Sequence, residues 1–339
     1  MINEEFTSSI GEHIFDFLEY HKPMWAQSTY EHRRVHLLSL DRFLGKIGFT
    51  GRDIDETTVT SWIRSLPPLA DSTLQNYISS ARKLFEYLSA REISKCYIPP
   101  VRAVDQNYLP HYFTDNELDD MYGIIDDYPI GHRNKLPYIK AELPMVMRIL
   151  ESCGTRIAET VALQMKDVDL ERGVLTMMHA KGDKERYVPM SESLSLILRK
   201  YCTAMGIIGK PDAFLFPRKD QSEHLDKYEI ENRFPYIRKW TGIEANRTKK
   251  FERNICLHCF RHCFALKSFK KLEENGVHLD DAVPYLSIYL GHNKLKETEK
   301  YLSFSAEMYP DELQGFENIM EANLPDDDMW DDVYGEVSE

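Results

Sequence analysis

Six residues in the second half of the chain have side chains that suit chemistry on a phosphate. They are two arginines, one lysine, two histidines and one tyrosine: Arg156, Lys181, His258, Arg261, His292 and Tyr301. A guanidinium stays charged and presents a planar fork that binds two phosphate oxygens at once. A phenol, whose ordinary pKa is about 10, becomes a nucleophile where nearby cations favour the phenolate. Taken singly, each residue is more often a surface charge, a structural histidine or a packed tyrosine, so only their combination is informative.

The sequence around these residues forms five short segments. They are Gly154 to Glu159, the Lys-Gly-Asp-Lys-Glu-Arg-Tyr-Val-Pro run from Lys181 to Pro189, His258-Cys-Phe-Arg-His262, Leu290-Gly-His292, and Tyr301, nine residues after His292. In this order and at these intervals they resemble the tyrosine recombinase (phage integrase) family. The resemblance covers about residues 10 to 305. It implies DNA strand cleavage and rejoining through a 3′-phosphotyrosyl intermediate.

The resemblance assigns the central chemistry to three side chains. Tyr301 would attack the phosphodiester, and Arg156 and Arg261 would hold its nonbridging oxygens. Attack places extra negative charge on those oxygens in the transition state, which two fixed guanidiniums stabilise without a metal ion. A phosphotyrosine bond keeps the free energy of the phosphodiester, so rejoining needs no nucleotide. We therefore expect no cofactor, and the chain has no Gly-x-x-x-x-Gly-Lys-Ser/Thr motif.

Four further residues receive supporting roles from the resemblance. His258 would assist proton removal from the tyrosine, and Lys181, at a hairpin tip, would protonate the leaving 5′ hydroxyl. His292 would donate a hydrogen bond to the scissile phosphate. Glu159 matches an acidic position after the first arginine and would have an orienting or structural role.

A metal site is the competing interpretation of the segment around Arg261. Cys256, Cys259 and Cys263 lie beside His258 and His262, and such residue types bind zinc. No second Cys-x-x-Cys or histidine pair completes a tetrahedral set, so we predict small buried cysteines and no metal.

Hydrophobic periodicity predicts a mainly α fold in two domains. Helical stripes fill residues 4 to 90, beginning with Ile10, Ile14, Phe17 and Leu18, and the second stripe runs through Val35, Leu38, Leu40 and Phe43. Prolines interrupt residues 96 to 112, and residues 128 to 137 read as a loop. Thr114 and Glu117 form a capping box, a helix follows over 139 to 152, and residues 174 to 178 and 185 to 189 read as a β-hairpin. The prediction is a helical DNA-binding domain at 1–95, a linker at 96–112, an α+β catalytic domain with a small hairpin or sheet at 113–310, and an acidic tail with one amphipathic helix at 311–339.

The distribution of charge permits DNA binding although the chain carries a net charge of −13. Residues 302 to 339 hold twelve acidic residues and no Lys or Arg, whereas residues 181 to 271 carry a net charge of +9. A local basic face binds a polyanion whatever the total charge. The chain has no run of eighteen apolar residues and no basic-then-apolar start, so we expect no membrane span and a cytoplasmic protein with reduced thiols.

DNA contacts are predicted on two surfaces. The polar side of the fourth helix carries Ser72, Thr73, Gln75, Asn76, Arg82 and Lys83. In the catalytic domain the phosphate-binding candidates are Arg233, Arg238, Lys249 and Lys250. A solvated surface explains any single one of these residues as well.

Three other functions compete with a site-specific recombinase. A type IB topoisomerase would use the same chemistry and relax supercoils without a partner protomer. A DNA-binding regulator would retain an idle site, although all six catalytic positions are filled. A helical interaction module would not bind DNA. The resemblance favours a homo-tetramer on two duplexes with specific recombination sites, joined by C-terminal helix exchange. A mobile element is the expected setting, and chromosome dimer resolution fits as well.

Overall fold

The computed structural model describes residues 6–100, 110–128, 136–178, 185–244, 254–292, 294–298 and 301. Within these ranges the chain forms two compact units, one in residues 6–100 and one in residues 110–301. The predicted linker at 96–112 lies largely, and the predicted acidic tail wholly, outside the described residues, as does most of the predicted loop at 128–137.

The first unit is built from four α-helices. They are α1 (Gly11–His21), α2 (Gln27–Lys46), α3 (Glu56–Ser65) and α4 (Asp71–Ala90), with a short 3-10 turn at Lys22–Met24. All four were expected from the apolar stripes. Val35, which the pattern placed on the inner face of α2, is 52% exposed, because the buried stripe runs through Leu37, Leu40 and Leu44.

The core of the first unit consists of aliphatic and aromatic side chains and one buried acid, Asp41. Trp62 and Phe85 are fully buried among leucines and isoleucines. Asp41, also fully buried, accepts hydrogen bonds from the backbone N–H groups of Thr7 and Ser8 at 2.8 and 3.0 Å. The carboxylate thereby satisfies amides that precede α1 and fixes the start of the unit.

The described residues of the second unit form eight further α-helices and a three-stranded sheet. The helices are α5 (Asp115–Asp126), α6 (Ile139–Cys153), α7 (Ile157–Val161), α8 (Glu192–Ala204), α9 (Lys227–Glu231), α10 (Phe234–Trp240), α11 (His258–Glu274) and α12 (Leu279–Leu290). The predicted capping box is present at the start of α5, where Thr114 and Glu117 bond each other's backbone N–H groups. The fold is thus mainly α with a small sheet, as the sequence predicted.

The sheet is antiparallel in the order β1 (Val168–Asp169), β2 (Val174–Met177) and β3 (Arg186–Pro189). The expected hairpin is β2–β3, whose register pairs Leu175 with Val188 and Met177 with Arg186. These four side chains share the buried face of the sheet. Arg186 is the charged member of this buried face, and a buried charge requires a partner.

Two helices of this unit end close to the residues of interest. Helix α6 ends at Gly154 and α12 at Gly291, both in the left-handed conformation with φ of 59° and 66°. A Cβ on Gly154 would lie 2.5 Å from the ring of Phe264. Glycine is therefore needed at position 154 both for the turn and for the close approach. Among the described residues, no helix is long and apolar enough to cross a membrane.

Candidate active site

The turn between α6 and α7 presents Arg156. Its backbone is extended at the position that caps α7, with φ of −82° and ψ of 141°, and its side chain is 35% exposed. The carboxylate of Glu159, one turn further on, accepts from the Arg156 backbone N–H at 3.3 Å and from Nη1 at 2.8 Å. This local ring holds the guanidinium while leaving part of it accessible to a ligand.

Glu159 is also bonded to a second arginine, from β3. Arg186 Nη2 donates to Glu159 Oε2 at 2.6 Å and Nη1 donates to Oε1 at 3.3 Å. The two side chains are only 6% and 10% exposed. Burial alone would raise the pKa of Glu159, but the hydrogen bonds and charge of Arg186, then those of Arg156, lower it to about 2. The carboxylate therefore joins the Arg156 turn to the sheet through a permanent charge.

Arg261 lies on the first turn of α11 and is 1% exposed. Its Nη1 donates to the Gly154 carbonyl at 2.9 Å, and its Nη2 donates to the Leu290 carbonyl at 2.6 Å. The partial negative charge at the ends of α6 and α12 thus faces this guanidinium. Burial, then the charge of Arg156, lowers the pKa of Arg261 to about 10, so it remains a cation at neutral pH.

His292 follows α12 and lies between Arg261 and a short helical segment at 296–298. Its Nε2 is 3.0 Å from Arg261 Nη2, and its Nδ1 is 2.7 Å from Thr298 Oγ1. Burial, then the charges of Arg261 and Arg156, lowers the pKa of His292 to about 3. The ring is therefore neutral in this structure.

Tyr301 is buried against the same group, with 3% exposure. Its ring stacks on His292 with 5.8 Å between centroids and meets His262 edge-on at 5.1 Å. Burial raises the pKa of the Tyr301 phenol, while the charge and hydrogen bond of Arg261, and the charge of Arg156, oppose that rise. The phenol is thus protonated at rest and needs a proton acceptor to react.

His258 opens α11 and is half-buried, and its ring lies 4.8 Å from that of His262. It also contributes to the electrostatic environment of His292. Lys181 lies outside the described residues, in the segment 179–184 between β2 and β3. The structure therefore brings together Arg156, Glu159, Arg261, His292 and Tyr301. Of the six residues singled out for chemistry, it describes all but Lys181.

The cysteines and histidines of α11 are packed residues. Cys259 and Cys263 are 0% and 5% exposed, and the Cys263 thiol accepts a hydrogen bond from the Phe113 backbone N–H at 3.3 Å. In the described part of the chain, no three His, Cys, Asp or Glu side chains are grouped as metal ligands would be.

The DNA-contact candidates differ in accessibility. On α4, Ser72, Asn76 and Lys83 are exposed along one stripe, whereas Thr73 and Gln75 are half-buried. Arg82 donates to the Pro99 carbonyl at 2.9 Å and pairs with Glu86 at 2.9 Å.

The two described candidates of the second unit also have intramolecular partners. Arg233 Nη1 bonds the carbonyl and the carboxylate of Glu229, and Arg238 Nη1 donates to the Ile243 carbonyl at 3.0 Å. Lys249 and Lys250 lie outside the described residues.

Two residues of this site were not assigned a role from the sequence. Arg186 lies within the motif around Lys181, and its signal was its alternation with the apolar Val188 on a predicted strand. Thr298 carried no such signal, because its importance depends on the fold that places its hydroxyl beside His292.

Comparisons with known proteins place this geometry in a family. The chain is 26% identical over 267 residues to tyrosine recombinase XerC of Lacticaseibacillus casei, covering 75% of this chain and 80% of that protein. It is 23% identical to tyrosine recombinase XerD of Pasteurella multocida, covering 83% and 89%.

Solved structures share the fold. The XerH site-specific recombinase bound to palindromic difH substrate superposes with a TM-score of 0.70 at 18% identity, covering 93% of this chain and 99% of that one. The lambda integrase tetramer bound to a Holliday junction gives 0.60 at 15% identity, covering 86% and 80%. The phage integrase family model matches residues 111–308, more than half of the chain. The chain belongs to the phage integrase family, the tyrosine site-specific recombinases.

Proposed function

We propose that this recombinase cleaves and rejoins DNA by attack of Tyr301 on a phosphodiester, forming a 3′-phosphotyrosyl bond and releasing a 5′ hydroxyl. The observation that carries the proposal is the position of the Tyr301 ring, stacked on His292 beside the Arg261 guanidinium. A tyrosine nucleophile needs cations that stabilise both its phenolate and the phosphate that it attacks. In this protein a single chain supplies the tyrosine and the cations.

Arg156 and Arg261 would hold the two nonbridging oxygens from different sides. Arg156 is partly exposed, its Nη1 donates to Glu159 at 2.8 Å, and its Nη2 donates to the Gly291 carbonyl at 3.5 Å, so its guanidinium is fixed at the edge of the site. Arg261 is fixed by two helix-end carbonyls. Fixed donors need little reorganisation when charge develops, which is the main source of transition-state stabilisation in such sites.

Proton transfers would involve His258 and Lys181. The Tyr301 phenol is protonated at rest, so its attack requires a base, and we assign this role to His258 at the start of α11. Lys181, in the segment between β2 and β3, would protonate the leaving 5′ oxygen. Neither role needs a metal or a nucleotide, in line with phosphoryl chemistry that conserves bond energy.

We propose that both units bind DNA that carries specific recombination sites. The exposed stripe of α4, with Ser72, Asn76 and Lys83, would contact base edges in a groove. Arg238, Lys249 and Lys250 would bind backbone phosphates. The working assembly would be a homo-tetramer on two duplexes in which protomers exchange C-terminal helices carrying Leu313, Phe316, Ile319 and Met320. The relative whose structure is a lambda integrase tetramer on a Holliday junction supports this assembly. We propose that the protein acts in the cytoplasm and recombines the DNA of a mobile element.

The decisive test is covalent trapping on nicked duplexes drawn from the DNA that flanks the gene. On such a substrate, a short fragment with the 5′ hydroxyl diffuses away and the adduct accumulates. The wild-type chain should give a protein–DNA band on a denaturing gel, and Tyr301→Phe should bind DNA without giving one. An adduct formed by the Phe variant would refute the assignment of the nucleophile.

A second assay separates the recombinase from a topoisomerase. Two sites on separate duplexes should be joined into recombinant products. Because several protomers act together, the rate of this reaction should rise more steeply than in proportion to the protein concentration. Relaxation of supercoiled plasmid by single protomers, with no recombinant product from any flanking sequence, would contradict the proposal.

A further inference from the structure

The hydrogen bonds of His292 determine which ring nitrogen carries its proton. Arg261 has N–H donors only, so the 3.0 Å contact from its Nη2 requires His292 Nε2 to be the acceptor. A neutral imidazole then carries its proton on Nδ1. That proton points to Thr298 Oγ1, 2.7 Å away.

The charged form of the ring is disfavoured here. An imidazolium would place an Nε2–H against the N–H of Arg261. Burial, then the charges of Arg261 and Arg156, with smaller contributions from His258 and Arg186, all oppose its charge. Tyr301, the other titratable group stacked on the ring, is protonated at rest. His292 is therefore neutral in the DNA-free protein, with its proton on the side away from the phosphate site.

This state is opposite to the one needed in cleavage. In the proposed cleavage, His292 would donate a hydrogen bond to the scissile phosphate, and Nε2, which faces Arg261, is the ring nitrogen placed to do so. Arg261 bonds two helix-end carbonyls, Tyr301 and His292, and the bond to the His292 ring is one that an entering phosphate oxygen can take. Losing that bond leaves Nε2 without a donor, and a neutral ring can then contact the phosphate favourably only as the Nε2–H tautomer.

We propose that Thr298 is a positioning residue that supports both tautomers of His292. Its hydroxyl accepts the Nδ1–H bond in the DNA-free protein and rotates to donate to the bare Nδ1 when the Nε2–H is directed at the scissile phosphate. Protons balance in the exchange, because Nε2 takes one from water and Nδ1 returns one to water, and the ring is neutral before and after.

A hydroxyl suits this place, because one atom can serve both states. A hydroxyl both donates and accepts, whereas a carboxylate or carbonyl only accepts and an ammonium only donates. Thr298 is fully buried, with its backbone N–H bonded to the Leu295 carbonyl at 2.7 Å, so its position relative to the ring is fixed. The inference rests on the proposed function for its second state and on the structure alone for its first.

The first state is tested without DNA. In ¹⁵N spectra of histidine-labelled full-length protein at pH 7, we expect His292 to show a protonated Nδ1 and a bare Nε2, assigned by comparison with His292→Gln. A protonated Nε2 in the DNA-free protein would overturn the inference. This readout is independent of whether the chain cleaves DNA.

The second state is tested with Thr298→Val, Thr298→Ser and the matched control Thr203→Val. Thr203 is exposed and bonds only the Arg199 carbonyl on its own helix, so its variant should cleave like the wild type. Thr298→Val keeps the volume and removes the hydroxyl, and we expect the single-turnover rate of adduct formation to fall about tenfold, the effect of one hydrogen bond. DNA affinity should be unchanged, and Thr298→Ser should restore the rate.

The outcomes separate this proposal from the wider one. Wild-type cleavage by Thr298→Val, or an equal loss in Val and Ser, would refute the role of the hydroxyl. If the wild-type chain forms no adduct on any substrate, the proposed function fails, and the second state of Thr298 fails with it, while the Nδ1–H assignment is decided by the spectra.

Discussion

Replacing Glu159 with glutamine tests whether this buried carboxylate holds the site together. The side chain is 10% exposed and bonds both Arg186, itself 6% exposed, and Arg156. Its pKa is lowered from 4.5 to about 2, which corresponds to roughly 3 kcal/mol of folding free energy at neutral pH. Glu159→Gln removes the negative charge that faces the buried Arg186 cation, so we expect the free energy of unfolding of the second unit to fall by roughly 3 kcal/mol.

The dependence on pH follows from the direction of the shift. A carboxyl whose pKa is lower in the folded than in the unfolded state stabilises the protein above the unfolded pKa, and this contribution is lost as pH falls towards the folded pKa. The difference between wild type and Glu159→Gln should therefore be full above about pH 5, roughly half at pH 3, and absent below about pH 2.

The measurement is urea unfolding followed by hydrogen–deuterium exchange of the α8 peptide around Cys202, which is fully buried in the second unit. Exchange in this helix reports the unit that contains the site, whatever the first unit does, and it can be read in acid, where thiols are too little ionised to be labelled. Glu171→Gln, on an exposed glutamate, is the matched control and should change the free energy of unfolding by less than about 0.5 kcal/mol. A Glu159→Gln variant as stable as this control, or a difference that does not shrink in acid, would refute the reasoning.

The remaining predictions concern parts of the chain that the structure does not describe. Lys181→Ala should slow cleavage far more than Lys184→Ala, and a 5′-phosphorothiolate substrate, whose leaving group needs no proton, should restore the rate; a defect that persists on that substrate would show that the lysine is not the general acid. Deleting residues 325–339 removes seven acidic residues and should tighten DNA binding by the DNA-free protein, with an effect that shrinks as salt rises. Deletion from Asp311 also removes the apolar stripe and should lower cooperative assembly in gel filtration with DNA; if both truncations behave like the full-length chain at low salt, the tail has no such role.

Much of the fold followed from local sequence signals. Helical stripes, the Thr114 capping box and the β2–β3 hairpin each depend on residues close together in the chain, and each formed where those signals placed it. The strand β1 was missed because two residues, Val168 and Asp169, give no alternation to detect. Likewise, the exposure of Val35 reflects packing between helices, which the period of one helix does not fix.

The main residues of the site could be predicted because the order of their motifs along the chain resembles that of a known family. Arg156, Arg261, His292 and Tyr301 come from four separate segments, and resemblance supplied their association before any geometry did. The supporting contacts were not accessible in this way. The Glu159–Arg186 pair depends on the register of the hairpin, and the Thr298 contact depends on the turn after α12.

Polar surfaces were the least predictable feature. Arg82 and Arg233 were proposed as DNA contacts from their place in basic or polar segments. In the structure each bonds a backbone carbonyl and a glutamate of its own unit. Sequence cannot distinguish a solvent-facing arginine from one that has an intramolecular acceptor, because both occupy the same helical positions.

The central claim is that the Tyr301 phenol oxygen forms the bond to DNA, and mapping that bond is its most direct test. Trypsin cleavage after Lys300 yields one peptide from Tyr301 to the C-terminus, since residues 302–339 contain no Lys or Arg. This peptide also contains Tyr309 and Tyr334, so fragmentation must locate the nucleotide within it. The account predicts a 3′-linked nucleotide on Tyr301, the first residue of the peptide. A nucleotide on Tyr309, on Tyr334 or on any other residue of the chain would contradict it.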